Sequence, residues 1–259
     1  MTVQSERGYL IPAVNTDQTD YVACAIKLAK SIKRWHPDAK ICLLSDRDYS
    51  EHEIFDYTKI LPFGSSRNKQ SDDWQVFRAS PFRQTIKLEA DMYAASPIDH
   101  WWTLLEKRDL VVSLGARDFY DQRTDCRLYR KTFDKNHLPD VYNAITYWRL
   151  SQTAREFFEY VRFVFEHWNQ IKRGLRTPDD EPTTDVVYAV VASIMGVENV
   201  TLPLGYGPTI VHMKKGIIPI VGEDWTKELI WECVDNGLRI NTIDQYGLVH
   251  YHIKNWSYE

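Results

Sequence analysis

The residues best suited to chemistry are two carboxylates, Glu89 and Asp91, separated by a single alanine. They follow an apolar, strand-like run, and on an extended chain residues i and i+2 point to the same face. One divalent cation can then contact both acids, directly or through water. Oxygen ligands, with one imidazole, favour Mg²⁺ or Mn²⁺ over zinc, whose usual thiolate or multiple-histidine set is missing. Such a pair is otherwise a solvated strand end, so the surrounding sequence has to decide.

The elements that must position this pair alternate along the chain. An apolar, β-rich run over 8–16 precedes helical spacing of apolar residues over 20–36 and a second strand over 39–45. The loop after the first strand is polar, and in open α/β sheets ligands bind at that end of the strands. Further strands are predicted at 85–93, 109–115, 141–150 and 246–256, and helices at 153–171 and 183–196. This alternation predicts an α/β fold.

Composition and missing motifs exclude several classes of protein. With 259 residues, 44% of them hydrophobic and 26% charged, the chain has the composition of a folded globular protein. Its net charge of −4 gives no general attraction to polyanions, so a polyanion site would need a local basic patch. P-loop, dinucleotide-binding, zincin and α/β-hydrolase motifs are absent.

Cysteine usage and hydropathy bear on location. Cys24, Cys42, Cys126 and Cys233 are scattered without metal-ligand spacing, which predicts reduced thiols. The sequence has no apolar run long enough for a membrane span and no apolar leader at its start. We therefore expect a cytoplasmic protein without a membrane span.

Several segments resemble GT-A fold glycosyltransferases, particularly the family-8-like enzymes of the glycogenin and bacterial galactosyltransferase type. The resemblance is carried in order by IPAVNTDQTDYVACAIKLAKSIKRWHPDAKICLLS, TIKLEADM with SPIDHWW, VYNAITYWRLS, PTTDVVYAVV and VHYHIKNW. The segments SPFRQTIKLEADM and LPDVYNAITYWR are also similar to glycosyltransferase-like proteins of T4-type tailed phages. The matching segments extend over nearly the whole chain.

This resemblance implies a fold and an activity. The fold is a single GT-A domain over 1–259, a Rossmann-like mixed sheet flanked by helices. Residues 8–115 would form the nucleotide-sugar-binding half, and 116–259 the acceptor half with a C-terminal metal and diphosphate element. The activity is metal-dependent transfer of a sugar from a nucleotide-sugar donor, by resemblance a UDP-sugar, to a hydroxyl acceptor. Retention of the anomeric configuration is implied as well.

The resemblance also assigns a metal and diphosphate site. Glu89, Asp91 and His250 would hold Mn²⁺ or Mg²⁺, with His252 close enough in sequence to compete with His250. Glu89 stands where the family has aspartate, which makes Asp91 the safer ligand. Lys254 would add positive charge to the diphosphate, or else be an ordinary surface lysine.

Donor contacts are expected on two segments. Asn15, Thr16, Asp17 and Tyr21 follow the first strand and would bind base and ribose, although Asp17 or Thr19 would serve equally well as a helix N-cap. Arg78, Arg83 and Lys87 precede the acidic pair, and one of them would reach the donor phosphates. Lys87 would alternatively only neutralise Glu89.

Two further residues are candidates for the reaction centre beside Asp91. Asn143 lies in an apolar strand, where an unpaired amide is expensive to bury, so a sugar hydroxyl is its expected partner. Asp185 would face the sugar by resemblance, whereas the local sequence alone makes it, or Thr184, a helix N-cap.

The acceptor is the part of the reaction that the sequence constrains least. The phage resemblance suggests a hydroxymethylated pyrimidine in DNA, which needs a flipped base and a basic groove. Basic residues available for a groove are Arg127, Arg130, Lys131, Lys172, Arg173, Arg176, Lys214 and Lys215. A polysaccharide or lipopolysaccharide acceptor needs no such groove. A non-catalytic sugar-nucleotide-binding protein or a nucleotidyltransferase is the alternative from another class, and the oligomeric state is left open.

Overall fold

The computed structural model describes residues 3–64, 69–124, 131–203, 205–208, 210–234 and 237–258. Its strands are β1 (Ser5–Pro12), β2 (Ile41–Ser45), β3 (Tyr57–Ile60), β4 (Phe82–Leu88), β5 (Met92–Ala94), β6 (Leu110–Leu114), β7 (Ala116–Arg117), β8 (Arg123–Thr124), β9 (Val141–Arg149), β10 (Ile210–His212), β11 (Trp231–Val234), β12 (Gly237–Ile240), β13 (Ile243–Asp244) and β14 (Leu248–His250). Its α-helices are α1 (Tyr21–Trp35), α2 (Val76–Ala79), α3 (Trp101–Leu105), α4 (Lys131–Asn136), α5 (Gln152–Glu166), α6 (Trp168–Leu175), α7 (Thr184–Met195) and α8 (Val197–Val200). Within the described residues, 3-10 helices span Lys69–Gln75 and Trp225–Lys227.

The central sheet has six strands in the order β3-β2-β1-β4-β9-β6. The first four are mutually parallel, and β9 runs antiparallel to both of its neighbours. Along β1, Tyr9 and Ile11 pack with α1 and α3 on one face, while Leu10 packs with α5 and α7 on the other. Because both faces are covered, the strand interior is continuously apolar. The predicted mixed α/β sheet flanked by helices is confirmed.

A second sheet joins distant parts of the chain, in the order β5-β14-β10-β7-β8. Within it β14 pairs antiparallel with β5, which places His250 opposite Met92, and parallel with β10, which places His250 opposite His212. Strands β11 to β13 form a small antiparallel sheet. Since β5 directly follows the Glu89–Asp91 turn, this pairing brings the late strand β14 beside the acidic pair.

Several element boundaries differ from the predictions. The strand predicted over 85–93 is two strands, because β4 stays in the central sheet while β5 joins the second, and the acids occupy the turn between them. The helix predicted over 153–171 breaks at His167, which closes α5 and precedes α6. The strand predicted over 246–256 is only β14, because His252 takes a left-handed backbone at φ 59° and ends the extended run.

Helix caps also differ from the expected ones. Asp20 caps α1 by accepting a hydrogen bond from the backbone N–H of Ala23. Thr183 caps α7 in the same way, accepting from Val186, so Asp185 is not an N-cap. Within the described ranges no helix combines the length and apolar character needed to cross a membrane.

Candidate active site

A cavity of about 440 Å³ opens at the carboxyl ends of β1 and β4. This is the edge of the sheet at which the sequence places ligand contacts. The polar and aromatic side chains that line it are Thr16, Tyr21, Gln70, Asp72, Asp73, Lys87, Glu89, Asp91, Asn143, Thr184, His250, His252 and Lys254. Residues separated by more than two hundred positions therefore share one pocket.

His250 lies between the two predicted acids. Its Nε2 is 2.8 Å from Oδ2 of Asp91, and its Nδ1 is 3.3 Å from Oε2 of Glu89. The hydroxyl of Tyr142 also contacts Nδ1. His250 and Asp91 are 5% and 4% exposed, so these charged contacts are shielded from water. The structure brings all three predicted metal-site residues together.

Charge in this cluster is distributed unevenly. Burial opposes ionisation of Asp91, but His250 and the Lys254 ammonium, which contacts Oδ2, hold the pKa of this carboxyl below its usual range. Burial works against charging His250 too, yet the two carboxylates raise its pKa. Burial raises the pKa of Glu89 to about 7. Asp91 is therefore the permanent negative charge at the centre of the cluster.

His252 joins this cluster from the segment after β14. Asp91, His250 and His252 each place a potential ligand atom within 4.8 Å of the other two. Burial, together with the neighbouring histidines, holds the pKa of His252 well below its usual value, so its ring is neutral with a free lone pair. Two imidazole nitrogens and a carboxylate oxygen are a donor set that suits a divalent cation.

A buried polar network supports the opposite wall of the pocket. Lys87 forms an ion pair with Asp73 at 2.9 Å, with side chains only 3% and 11% exposed. Asp73 also accepts hydrogen bonds from the Tyr188 hydroxyl and, at 3.2 Å, from the Asn143 side chain. Lys87 thus pairs with Asp73, which the sequence analysis did not identify. A lysine inside an otherwise apolar strand was the available signal, because a buried ammonium requires a carboxylate.

This network also accounts for Asn143 and Asp185. The Asn143 side-chain oxygen accepts from Thr146 at 2.8 Å, so protein groups satisfy the amide for which a sugar hydroxyl was expected. The Asp185 carboxylate accepts from the backbone N–H of Asn143 at 2.6 Å. The bond ties the first turn of α7 to β9 and fixes the position of this acid beside the pocket.

The predicted donor residues separate into two groups. Thr16 and Tyr21 line the cavity, and Lys254 lies 5.3 Å from the centre of the Tyr21 ring. Asn15 instead accepts a hydrogen bond from the backbone N–H of Val22 at 2.9 Å, holding the start of α1, and Asp17 is exposed.

The two predicted arginines are not brought to the pocket. Arg83 is exposed and forms an ion pair with Glu6 at 3.2 Å, because it lies at the start of β4, whereas the cavity opens at the carboxyl end of that strand. Arg78 is also exposed, with its guanidinium 5.5 Å from the centre of the Phe63 ring.

The basic residues suggested for a DNA groove are only partly described. Arg127 and Arg130 lie outside the described residues, and Lys131 begins α4. Lys172 pairs with Asp180 at 2.7 Å and Lys215 with Glu223 at 3.0 Å. Arg173 lies in the last turn of α6, Arg176 caps that helix, and Lys214 precedes Lys215. The groove stays a prediction.

Comparisons with known proteins give distant structural likenesses. No protein-family model matches the sequence, and no curated protein matches it. Galactosyltransferase LgtC in complex with donor and acceptor sugar analogues is similar at 11% identity and a TM-score of 0.49, over 75% of this chain and 72% of that one. The bifunctional glycosyltransferase WbbM is similar at 13% identity and a TM-score of 0.49, over 82% of this chain and 41% of that one. Mouse xyloside xylosyltransferase 1 is similar at 9% identity and a TM-score of 0.49, over 77% of this chain and 85% of that one. Likenesses this distant do not assign an activity, and the relationships to family-8-like and phage proteins stay predictions.

Proposed function

We propose that this protein is a metal-dependent glycosyltransferase that moves a sugar from a nucleotide-sugar donor, a UDP-sugar, to a hydroxyl acceptor. The observation that carries the proposal is the combination, in one cavity, of a carboxylate and histidine cluster, a lysine and a half-buried aromatic ring. These groups match the divalent cation, diphosphate and base of a nucleotide sugar. The cavity also lies at the strand ends where α/β sheets bind nucleotides.

The cluster suits the leaving group of such a donor. Asp91, His250 and His252 would hold Mn²⁺ or Mg²⁺, which supplies positive charge where the departing diphosphate becomes more negative. Lys254 lies at the same carboxylate, so its ammonium is positioned to contact a diphosphate oxygen. Tyr21 would stack against the base, and Thr16 would donate its hydroxyl to the ribose.

The opposite wall suits the transferred sugar. The backbone N–H of Asn143 donates to Asp185, and the Asn143 side chain donates to Asp73, which is itself paired with Lys87. Their fixed positions let the Asp185 carboxylate accept from a sugar hydroxyl without reorganisation. We propose, on the resemblance of the sequence, that the product keeps the donor's anomeric configuration. Proton NMR of the first product formed distinguishes retention from inversion.

Donor turnover tests the proposal directly. Protein with Mn²⁺ is incubated with UDP-, GDP-, CMP- and dTDP-sugars, and released nucleotide is measured with and without EDTA. We expect release from a UDP-sugar that EDTA abolishes and that Asp91→Asn reduces by at least about 100-fold. Asp38→Asn, at an exposed acid on the loop between α1 and β2, is the matched control and should retain activity.

Other outcomes would identify another function. Donor binding without nucleotide release would indicate a non-catalytic binding protein, and pyrophosphate formation from a nucleoside triphosphate would indicate a nucleotidyltransferase. Either result overturns the proposal.

Hydroxymethylated DNA stays the predicted acceptor, with a polysaccharide or lipopolysaccharide as its alternative. Binding to DNA through lysine and arginine should weaken steeply with salt, because phosphate contacts release counterions, whereas a neutral glycan should show almost no salt dependence. Transfer is measured by digesting hydroxymethylcytosine-containing DNA to nucleosides and determining their masses by mass spectrometry. No sugar increment with any donor, together with transfer to an oligosaccharide, would exclude DNA as the acceptor.

A further inference from the structure

The two acids that were predicted to share one ion lie on opposite edges of the His250 ring. Asp91 faces Nε2, whereas Glu89 faces Nδ1. The two nitrogens of an imidazole point away from each other, so the ring itself separates Glu89 from an ion bound between Nε2 and Asp91. Glu89 instead has the position of the carboxylate that receives the second ring N–H of a metal-bound histidine.

The Tyr142 hydroxyl adds a second oxygen at the same nitrogen. It contacts Nδ1 of His250, and the Tyr142 ring is buried and stacks on His212 with 4.6 Å between ring centres. With two oxygens at Nδ1, the metal-binding tautomer of His250 carries its proton there and leaves Nε2 free. The orientation of this histidine is therefore fixed at Nδ1, while Nε2 faces Asp91.

His252 provides the ligand atom that Glu89 does not. Its Nε2 is enclosed by protein and has no hydrogen-bond partner in the part of the chain that the structure describes. Leaving a buried ring nitrogen unpaired is costly, and a cation removes that cost. The backbone of His252 is also left-handed, at φ 59°, a strained conformation that persists only where the surrounding structure enforces it. The unpaired nitrogen is the observation that points to a ligand at His252.

We infer that Asp91, His250 and His252 are the protein ligands of the metal site. Glu89 and Tyr142 orient His250 through Nδ1 and do not bind the ion. A set of two imidazoles and one carboxylate selects first-row transition metals, whereas Mg²⁺ prefers oxygen ligands throughout. The inference rests on the proposed function for its place beside a diphosphate, but the ligand set is testable without donor or acceptor.

Calorimetric titration of the metal-free protein with Co²⁺, Mn²⁺ and Mg²⁺ provides the test. His252→Asn removes the imidazole but keeps a residue that tolerates the left-handed backbone. We expect it to lower Co²⁺ affinity by more than about 100-fold and to change Mg²⁺ affinity little, which removes the preference for Co²⁺ over Mg²⁺. Glu89→Gln should lower the affinity for each metal by about 10- to 100-fold and keep the preference for Co²⁺. His100→Asn, at an exposed histidine, is the control.

The opposite pattern would overturn the inference: Glu89→Gln abolishes Co²⁺ binding while His252→Asn leaves it unchanged. Should a variant fail to fold, NMR of wild-type protein with ¹⁵N-labelled histidine rings decides. Zn²⁺ should perturb ring nitrogens of both His250 and His252, and perturbation of one histidine alone refutes the set. Intact metal binding without turnover of any donor refutes the proposed function and leaves this inference standing.

Discussion

Replacing Lys87 by methionine tests whether the buried pair with Asp73 holds the pocket wall. The side chains are 2.9 Å apart and nearly inaccessible, so at an effective dielectric constant of about 20 their attraction is about 6 kcal/mol. Most of that attraction offsets the desolvation of both charges. Lys87→Met removes the attraction but leaves the Asp73 carboxylate buried. A buried charge without its partner lowers the free energy of unfolding by about 3–5 kcal/mol.

The loss is measured as the change in free energy of unfolding in urea. A cost of 3–5 kcal/mol is a large part of the about 5–15 kcal/mol that stabilises a typical protein. Adding Asp73→Asn to Lys87→Met should recover part of the loss, because an amide oxygen still accepts from Tyr188 and Asn143 but carries no charge. Lys40→Met is the control, since Lys40 pairs with Asp56 at the same distance but is 48% exposed, and its loss should be much smaller.

Two outcomes would refute this reasoning. Lys87→Met costing no more than Lys40→Met would mean that the pair is solvated in solution. A double variant whose loss equals the sum of the two single losses would mean that the two residues do not interact.

Three further variants test other parts of the structure. Trp256→Ala should cost about 3–5 kcal/mol in urea unfolding, because this ring is 3% exposed within an aromatic cluster, and a loss below about 1 kcal/mol would show that the segment after β14 is not packed. Asp185→Asn should lower kcat for donor turnover with little loss of stability, since an amide oxygen still accepts from the backbone of Asn143; unchanged kcat would remove Asp185 from the reaction. Burial works to raise the pKa of Asp56, but hydrogen bonds from two lysines outweigh it and lower the pKa. Its contribution to stability is therefore complete above the unfolded pKa and is lost as pH falls through the folded pKa. Asp56→Asn should accordingly reduce the acid dependence of the free energy of unfolding below about pH 4. An unaltered pH profile would contradict a lowered pKa for Asp56.

Local patterns predicted the first strand, helix and second strand, because apolar spacing and polar loops are properties of neighbouring residues. The same patterns did not separate β4 from β5, since the division depends on which sheet each strand joins. Pairing of β5 with β14 is a long-range choice that periodicity does not encode. Asp73 was missed for the same reason: its partner Lys87 is on another element, and only the cost of a buried ammonium indicated that a carboxylate was needed.

Site residues were predicted best where chemistry and position coincided. Glu89, Asp91, His250 and Lys254 do meet in one cavity, although their roles stay predictions. Proximity in sequence misled for Arg83, because it lies at the start of β4 and the cavity opens at the carboxyl end of that strand. The strand was predicted to begin at residue 85, so the sequence pattern did not place Arg83 within it.

The pairing of β14 with β5 sets the order in which the pocket can be assembled during synthesis. Asp91 and His250 are 159 positions apart, so the acid turn exists long before its imidazole partners have been translated. Closing so long a loop is slow, and the central sheet has time to form first. A nascent chain that has not yet reached residue 250 carries the acidic turn but not its histidine and lysine partners. The cluster of Asp91, His250 and Lys254 is thus completed late in folding, after the central sheet has had time to form.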